Sequence, residues 1–247
     1  MKRSIINFVI IVIVLLVTKY GYSASLWTII DDLKSTDTSR VEKTCKSLGL
    51  ERGALGLSTV RFLEPWYGKS TQTLSIISVS WEGPFDGYLI LIDSSEKVLQ
   101  RLRTGYVKSI ELRPLRKDGN DILIVDTIKG TGTGYRQDQL KIIKITRNGF
   151  VDIWNGISFE KSFPLQIADD QNYEIKGSIN FDDLNNDGVQ EMLYTITQTH
   201  FFFDPQNHKL SQGKTEKIKK VYRLVNDKYV PMEAIQNKEN NNGGDIP

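Results

Sequence analysis

Asp183, Asn185 and Asp187 place oxygen-bearing side chains at alternate positions of one short stretch, with Gly188 next and Glu191 beyond it. Hard cations such as calcium are held by oxygens of this kind, drawn from a loop tight enough to aim several at one point. In that arrangement Asp183, Asn185 and Asp187 are side-chain ligands at positions one, three and five. Gly188 permits the sharp turn, Val189 offers its backbone carbonyl, and Glu191 closes the shell at position nine. An EF-hand requires glutamate at position twelve, which here is Tyr194, and its loop is flanked by helices. The flanks here alternate as strands, so the expectation is one structural calcium site in a loop between two strands. The competing reading is an acidic turn in which Asn and Asp make only local hydrogen bonds.

Other chemistry-bearing residues point less far. Gly130, Gly132 and Gly134 alternate with threonines, but a dinucleotide loop needs a helix starting directly after its glycines. The strand-like run Gln139 to Thr146 follows instead, and the lysine and serine or threonine of a phosphate loop are missing. A loop joining two strands is expected. His200 and His208 flank Phe201-Phe202-Phe203 without the carboxylate or cysteine partners of a zinc site, so loop or sheet-edge positions are expected. Cys45 is the single cysteine and reads as a small buried residue on a helix. Asp93, Asp126, Asp169, Asp170, Asp182 and Asp183 are the acids from which a glycoside-cleaving pair could be drawn, subject to their separation. Trp66, Tyr67, Trp81, Tyr88 and Trp154 could stack on sugars or fill a β core. Neither a Gly-x-Ser-x-Gly elbow nor a zinc-protease helix is present.

These residues must be positioned by strands. Leu26, Ile29, Ile30 and Leu33 form one helical stripe, and Val41, Cys45 and Leu48 continue a second after the polar break Ser35 to Ser39. Residues 24–53 are thus expected to form a helical cap. From Leu57 onward short alternating runs are separated by turn chemistry, among them Asp93-Ser94-Ser95 and Thr104-Gly105. The predicted strands include Thr73 to Trp81, Gly87 to Ile92, Val98 to Arg103, Val107 to Leu112, Asp121 to Ile128, Gln139 to Thr146 and Glu191 to Thr197. Lys217 to Val225 and Tyr229 to Met232 close the series, giving an antiparallel, mainly β domain over residues 54–235.

An internal repeat sharpens this expectation. Ser109 to Leu112 aligns with Ser178 to Phe181, and Asp118-Gly119 with Asp187-Gly188. One extra residue brings Asp121 to Ile124 onto Glu191 to Tyr194, and Lys144 to Val151 then resembles Tyr222 to Val230. Copies near 107–155 and 174–232 each read as a four-stranded sheet, the unit a propeller repeats around an axis. Two or three such units leave an open arc or a sandwich as the alternatives to a closed ring, and Gly87 to Arg103 has the pattern of a further, incomplete copy. The first copy carries Pro114, Arg116 and Asp118 where the second has Asp183, Asn185 and Asp187. One metal site is therefore expected, not two.

Asp183-x-Asn185-x-Asp187-Gly188-x-x-Glu191, followed by the apolar Met192-Leu193-Tyr194, resembles the calcium loop of FG-GAP and VCBS-type repeats. The resemblance covers this loop well and the rest of the two copies loosely. It implies integrin-like propeller sheets, a structural calcium ion and an exported bacterial protein. Family members usually carry aspartate at the ninth position, where this chain has Glu191, and the family's Phe-Gly and Gly-Ala-Pro signatures are absent.

Composition sets the outer limits. There are 32 basic and 30 acidic residues, and Lys2, Arg3 and Lys19 all lie in the first segment, so the body is close to neutral. Such a body gives no electrostatic reason to propose nucleic acid or an anionic membrane as partner. Residues 1–23 combine the basic Lys2-Arg3, an apolar run from Ile5 to Val17 and small residues at Gly21 and Ser23. This pattern predicts a cleaved signal peptide, hence a periplasmic or secreted protein without a stable membrane anchor after cleavage. Residues 236–247 are polar apart from Ile246, which predicts a disordered tail. The sequence therefore predicts an exported, calcium-stabilised β-repeat domain. Its expected role is binding a protein or glycan, or envelope architecture. A glycan-active hydrolase using paired carboxylates is the alternative.

Overall fold

A computed structural model describes residues 24–51, 53–66, 74–82, 85–114, 121–146, 148–163, 172–204, 206 and 209–232. The expected signal peptide, the tail beyond 232, the loop holding Arg116 and Asp118, and Tyr67, Asp169, Asp170 and His208 lie outside these residues.

Two helices come first, α1 (Ala24–Leu33) and α2 (Thr38–Ser47). Asp37 caps α2, its side chain accepting the Ser39 N–H at 2.9 Å. Gly49, at a φ of 65° just beyond the C-cap Leu48, ends it. The apolar stripes of both helices, Leu26, Ile30, Leu33, Val41, Cys45 and Leu48, are buried together.

The rest is one eleven-stranded antiparallel sheet in which each strand pairs only with its neighbours in sequence. The strands are β1 (Leu57–Trp66), β2 (Leu74–Trp81), β3 (Asp86–Asp93), β4 (Val98–Pro114), β5 (Asp121–Gly132) and β6 (Tyr135–Thr146). They continue as β7 (Gly149–Ser162), β8 (Tyr173–Asp182), β9 (Glu191–Asp204), β10 (Lys209–Val225) and β11 (Lys228–Pro231). The sheet is open: β1 and β11 are its two edges. The mainly β class, the short helical segments and the antiparallel pairing all agree with the sequence.

Several boundaries differ from expectation. Thr104-Gly105, read as a turn, lies inside the long β4, where register rather than turn chemistry decides the path. Residues up to Gly105 pair with β3 and those from Tyr106 onward pair with β5, so one strand serves two partners. A Cβ on Gly105 would stand 2.0 Å from the Ile128 carbonyl oxygen, so only glycine admits this crossing. Gly130 to Gly134 joins two strands as expected, but the joint is only the two-residue turn Thr133-Gly134, with Gly132 paired to Tyr135. His200 sits within β9 opposite Tyr173.

Packing divides into three apolar clusters. The helices cover one face of β1–β3, burying Ile77, Val79, Trp81, Tyr88, Ile90 and Ile92. The opposite face of the same strands, through Leu74, Ile76, Leu89 and Leu91, packs on Val107, Leu123, Val125, Ile143, Ile145 and Phe150. Ile122, Ile124, Leu140 and Ile142, on the far side of β5 and β6, meet Phe181, Met192, Tyr194 and Tyr229. Residues of β2, β3, β5 and β6 thus enter different cores from the two faces of each strand, and β2 and β3 are buried almost throughout. Within the third cluster Trp154 lies edge-on to Tyr194 at 4.9 Å. The Tyr194 phenol donates to the Ile157 carbonyl at 2.7 Å and accepts the Ile157 N–H at 3.0 Å.

Three outcomes are expected from this packing. Gly105→Val should cost about 3 kcal/mol or prevent folding, because it drives a side chain into backbone. Gly132→Ala, which enters open space, should shift the urea midpoint by no more than about 0.5 kcal/mol equivalent. Burial pushes the Tyr194 phenol up to about 12 from 10.0. Since the folded value is raised, its contribution is intact below pH 10 and is lost as pH climbs towards 12, a loss that Tyr194→Phe should remove from denaturation curves.

Candidate metal loop and a buried ionic network

The loop from Asp183 to Gln190 joins β8 to β9, whose last pair before it is Asp182 with Glu191. Asn186 (φ 60°) and Gly188 (φ 82°) take left-handed backbone and fold the loop back on itself. The turn gathers its own N–H groups on side-chain oxygens. Asp183 accepts from Asp187 N and Gly188 N, both at 3.0 Å. Asn185 Oδ1 shares the Asp187 N–H at 3.0 Å, and Asp187 Oδ1 accepts from Val189 N at 2.8 Å. Glu191, only 2 % exposed, reaches back to accept the Leu184 N–H at 3.0 Å.

All four predicted side chains therefore belong to one knot, with Val189 in its final turn. Asn185 ties the ends: its Nδ2 donates to Asp187 Oδ2 at 2.9 Å and to Glu191 Oε1 at 3.2 Å. Arg223 on β10 approaches the same Glu191 oxygen at 3.4 Å. Beneath, Phe181 packs with Tyr229 at 6.1 Å, and Arg113 stands 5.1 Å over the Phe181 ring. Burial first, then the Glu191 charge, raises the Tyr229 phenol. Among the described residues no three His, Cys, Asp or Glu side chains are grouped to hold a metal by themselves. The loop's oxygens are satisfied by N–H donors in the form described.

The acids considered for catalysis go different ways. Asp93 caps the β3–β4 turn, accepting from Ser95 N at 2.9 Å and Lys97 N at 3.0 Å. Asp182 and Asp183 belong to the metal loop and its flank. Asp126 instead joins Asp138, a residue the sequence reading missed. Lys108 Nζ bridges the two, 2.8 Å from Asp126 and 2.7 Å from Asp138. Arg136 grips Asp138 with two bonds of 2.9 Å, and Ser158 donates to Asp126 at 2.5 Å. Lys108 and Ser158 both stand at register shifts, so two bulges aim them at these carboxylates. Burial opposes the charge on Lys108, but its bonds to Asp126 and Asp138 outweigh this and raise its pKa. Two cations and two carboxylates balance, with Asp138 fully enclosed.

A signal for this network existed. Asp126 interrupts the run Ile122, Ile124, Ile128, and Asp138 precedes Leu140 and Ile142 on an equally apolar face. An acid in such a row needs a buried partner. Trp81, Tyr88 and Trp154 are buried in cores, with Trp81 Nε1 donating to the Gly53 carbonyl at 2.9 Å. Burial, reinforced by the Glu42 charge, pushes the Cys45 thiol up to about 11. No family model, curated protein or solved structure matches the chain.

Removing Asp138 while leaving both cations should be severe. Asp138→Ala is expected to cost about 3–5 kcal/mol in urea unfolding. Asp93→Ala, on an exposed turn, should cost about 1 kcal/mol.

Proposed function

We propose that this chain is an exported β-repeat domain that acts by binding, with one calcium ion pinning the β8–β9 loop. The observation that carries the reading is the convergence of Asp183, Asn185, Asp187 and Glu191 on one turn. The donor set is all oxygen, as calcium prefers. The Asn185 amide stands between Asp187 and Glu191, where positive charge is best placed. Asp183, Asn185, Asp187 and Glu191 would supply side-chain oxygens and Val189 its carbonyl. The ion would neutralise three carboxylates and order the turn, without a part in bond-making.

The repeat reading extends to three units. Phe62↔Ile77 and Ile92↔Val98 lie in the first cluster. Leu112↔Leu123 and Ile145↔Phe150 hold the corresponding places in the second. Phe181↔Met192 and Leu224↔Tyr229 do so in the third. On these pairings Leu123 matches Met192, and the extra residue of the sequence alignment disappears. Three propeller-like quartets stacked face to face, β1–β4, β4–β7 and β8–β11, account for this recurrence, β4 serving two of them. The resemblance to FG-GAP and VCBS repeats fits the same picture, with the helical cap closing one end.

A binding role is favoured because Asp126, a candidate acid that meets Asp138, is neutralised with it by Lys108 and Arg136. The partner class is protein or glycan, met outside the cytoplasm. Calcium at about a hundred times its dissociation constant should add roughly 2.7 kcal/mol, or about 5–10 °C in melting temperature. Chelator should reverse the gain, and Asp187→Ala should abolish it. Identical melting curves with calcium and with chelator would sink the metal.

A further inference from the structure

We propose that Lys108 and Asp126 condense to an amide, a covalent cross-link between β4 and β5 for which Asp138 carries the protons. The two side chains are already in contact. Lys108 Nζ lies 2.8 Å from Asp126 Oδ2 and 2.7 Å from Asp138 Oδ2. An amine and a carboxyl group fixed at contact react as if each were present at very high concentration. Two bulges bring this about. Lys108 is the extra residue between Val107 and Ser109 on β4, and Ser158 the extra residue between Ile157 and Phe159 on β7. Both arrive at the same carboxylate from opposite sides, Lys108 at Oδ2 and Ser158 at Oδ1, the latter at 2.5 Å. Ser158 therefore holds the oxygen that stays, and Lys108 faces the oxygen that leaves.

The surroundings divide the roles between the two acids. Asp138 is fully enclosed, and each of its oxygens takes a bond from Arg136. It stays a carboxylate at the end, so Asp126 is the group that becomes the amide. Asp138 first takes a proton from the Lys108 ammonium, and the freed lone pair attacks Asp126 Cγ to form the C–N bond. Charge that develops on Asp126 Oδ1 is met by the Ser158 hydroxyl. Asp138 passes its proton to Oδ2, carries a second from the nitrogen by the same route, and the Cγ–Oδ2 bond breaks to release water. Of the three ammonium protons, two leave in that water and one remains on the amide nitrogen. Nothing is oxidised or reduced. Arg136 and Asp138 are left as a balanced pair. The chain has a single cysteine, so an internal disulfide is not open to it as a covalent tie.

The inference rests neither on calcium nor on the repeats, so failure of the thermal shift would leave it standing. Mass spectrometry of the full chain, purified folded and then denatured and digested with trypsin, tests it. One product should join residues 104–116 to residues 118–129, uncut after Lys108 and lighter than the two peptides together by about 18 Da. Lys108→Arg and Asp126→Ala should keep the full mass. The rate is read from the linked fraction in protein harvested at successive times after synthesis. Ser158→Ala should slow it at least about tenfold, and Asp138→Asn, shown to be folded by circular dichroism, at least about a hundredfold. Full mass in the folded wild type overturns the proposal. So does a loss of water that persists in Lys108→Arg, which would place it at an Asp-Gly sequence instead. A link from Lys108 to Asp138, or one that forms as fast in Asp138→Asn, overturns the division of roles. The wild-type digest decides the link itself even if Asp138→Asn does not fold.

Discussion

A β-sheet has two faces, and burying both is the constraint from which the rest of this molecule follows. β2, β3, β5 and β6 send successive residues into separate cores. Their doubly buried stretches are apolar, as in Leu74 to Val79 and Ile122 to Val125, broken only by small hydroxyls such as Ser75 and Ser78. They also require the sheet to turn across itself. Gly105 makes that possible by letting β4 leave β3 and cross close to the Ile128 carbonyl. The helices are a consequence: the first face has nothing else to lie against.

Charge is handled by the same logic. Where an acid falls on a core-facing position, it is met by a group delivered from a neighbouring strand. Asp138 receives Arg136 from its own strand and Lys108 from a bulge on β4. Such a network adds little net stability compared with an apolar replacement, yet losing one member leaves the others stranded. It also fixes register, because a slip by one residue would turn Asp126 and Asp138 away from Lys108. The β8–β9 loop works differently. There Asp183, Asp187 and the buried Glu191 are met by backbone N–H groups of the turn itself.

Much of the fold was legible in the sequence, for identifiable reasons. Strand positions followed from alternation and turn residues, as with Glu191 to Thr197, and the two helical stripes around Ser35 to Ser39 were correctly separated. The β8–β9 loop could be singled out because its acidic and amide side chains are local in sequence. What failed was non-local. Thr104-Gly105 carries turn residues, yet pairing with β3 and β5 on either side keeps it extended. β9 and β10 run well past their expected ends because hydrogen bonding to neighbours extends polar segments that no periodicity marks, such as Lys209 to Glu216. The Lys108–Asp138 bridge needed three strands in register before it could be seen.

Strand order equal to chain order has a bearing on how the molecule comes into being. Each strand pairs with the one made just before it, so every hydrogen-bonded ladder closes over a short span of chain. For an all-β protein this keeps loop-closure entropy low and favours fast folding. It also lets structure grow vectorially. As a chain emerges from a narrow exit, each new hairpin can add to an edge that already exists, and the growing edge is always the most recent strand. The final edge, β10, carries Lys214, Lys217, Lys219 and Lys220 where β11 no longer covers it among the described residues. Those lysines are suited to ending a process that would otherwise recruit one more strand.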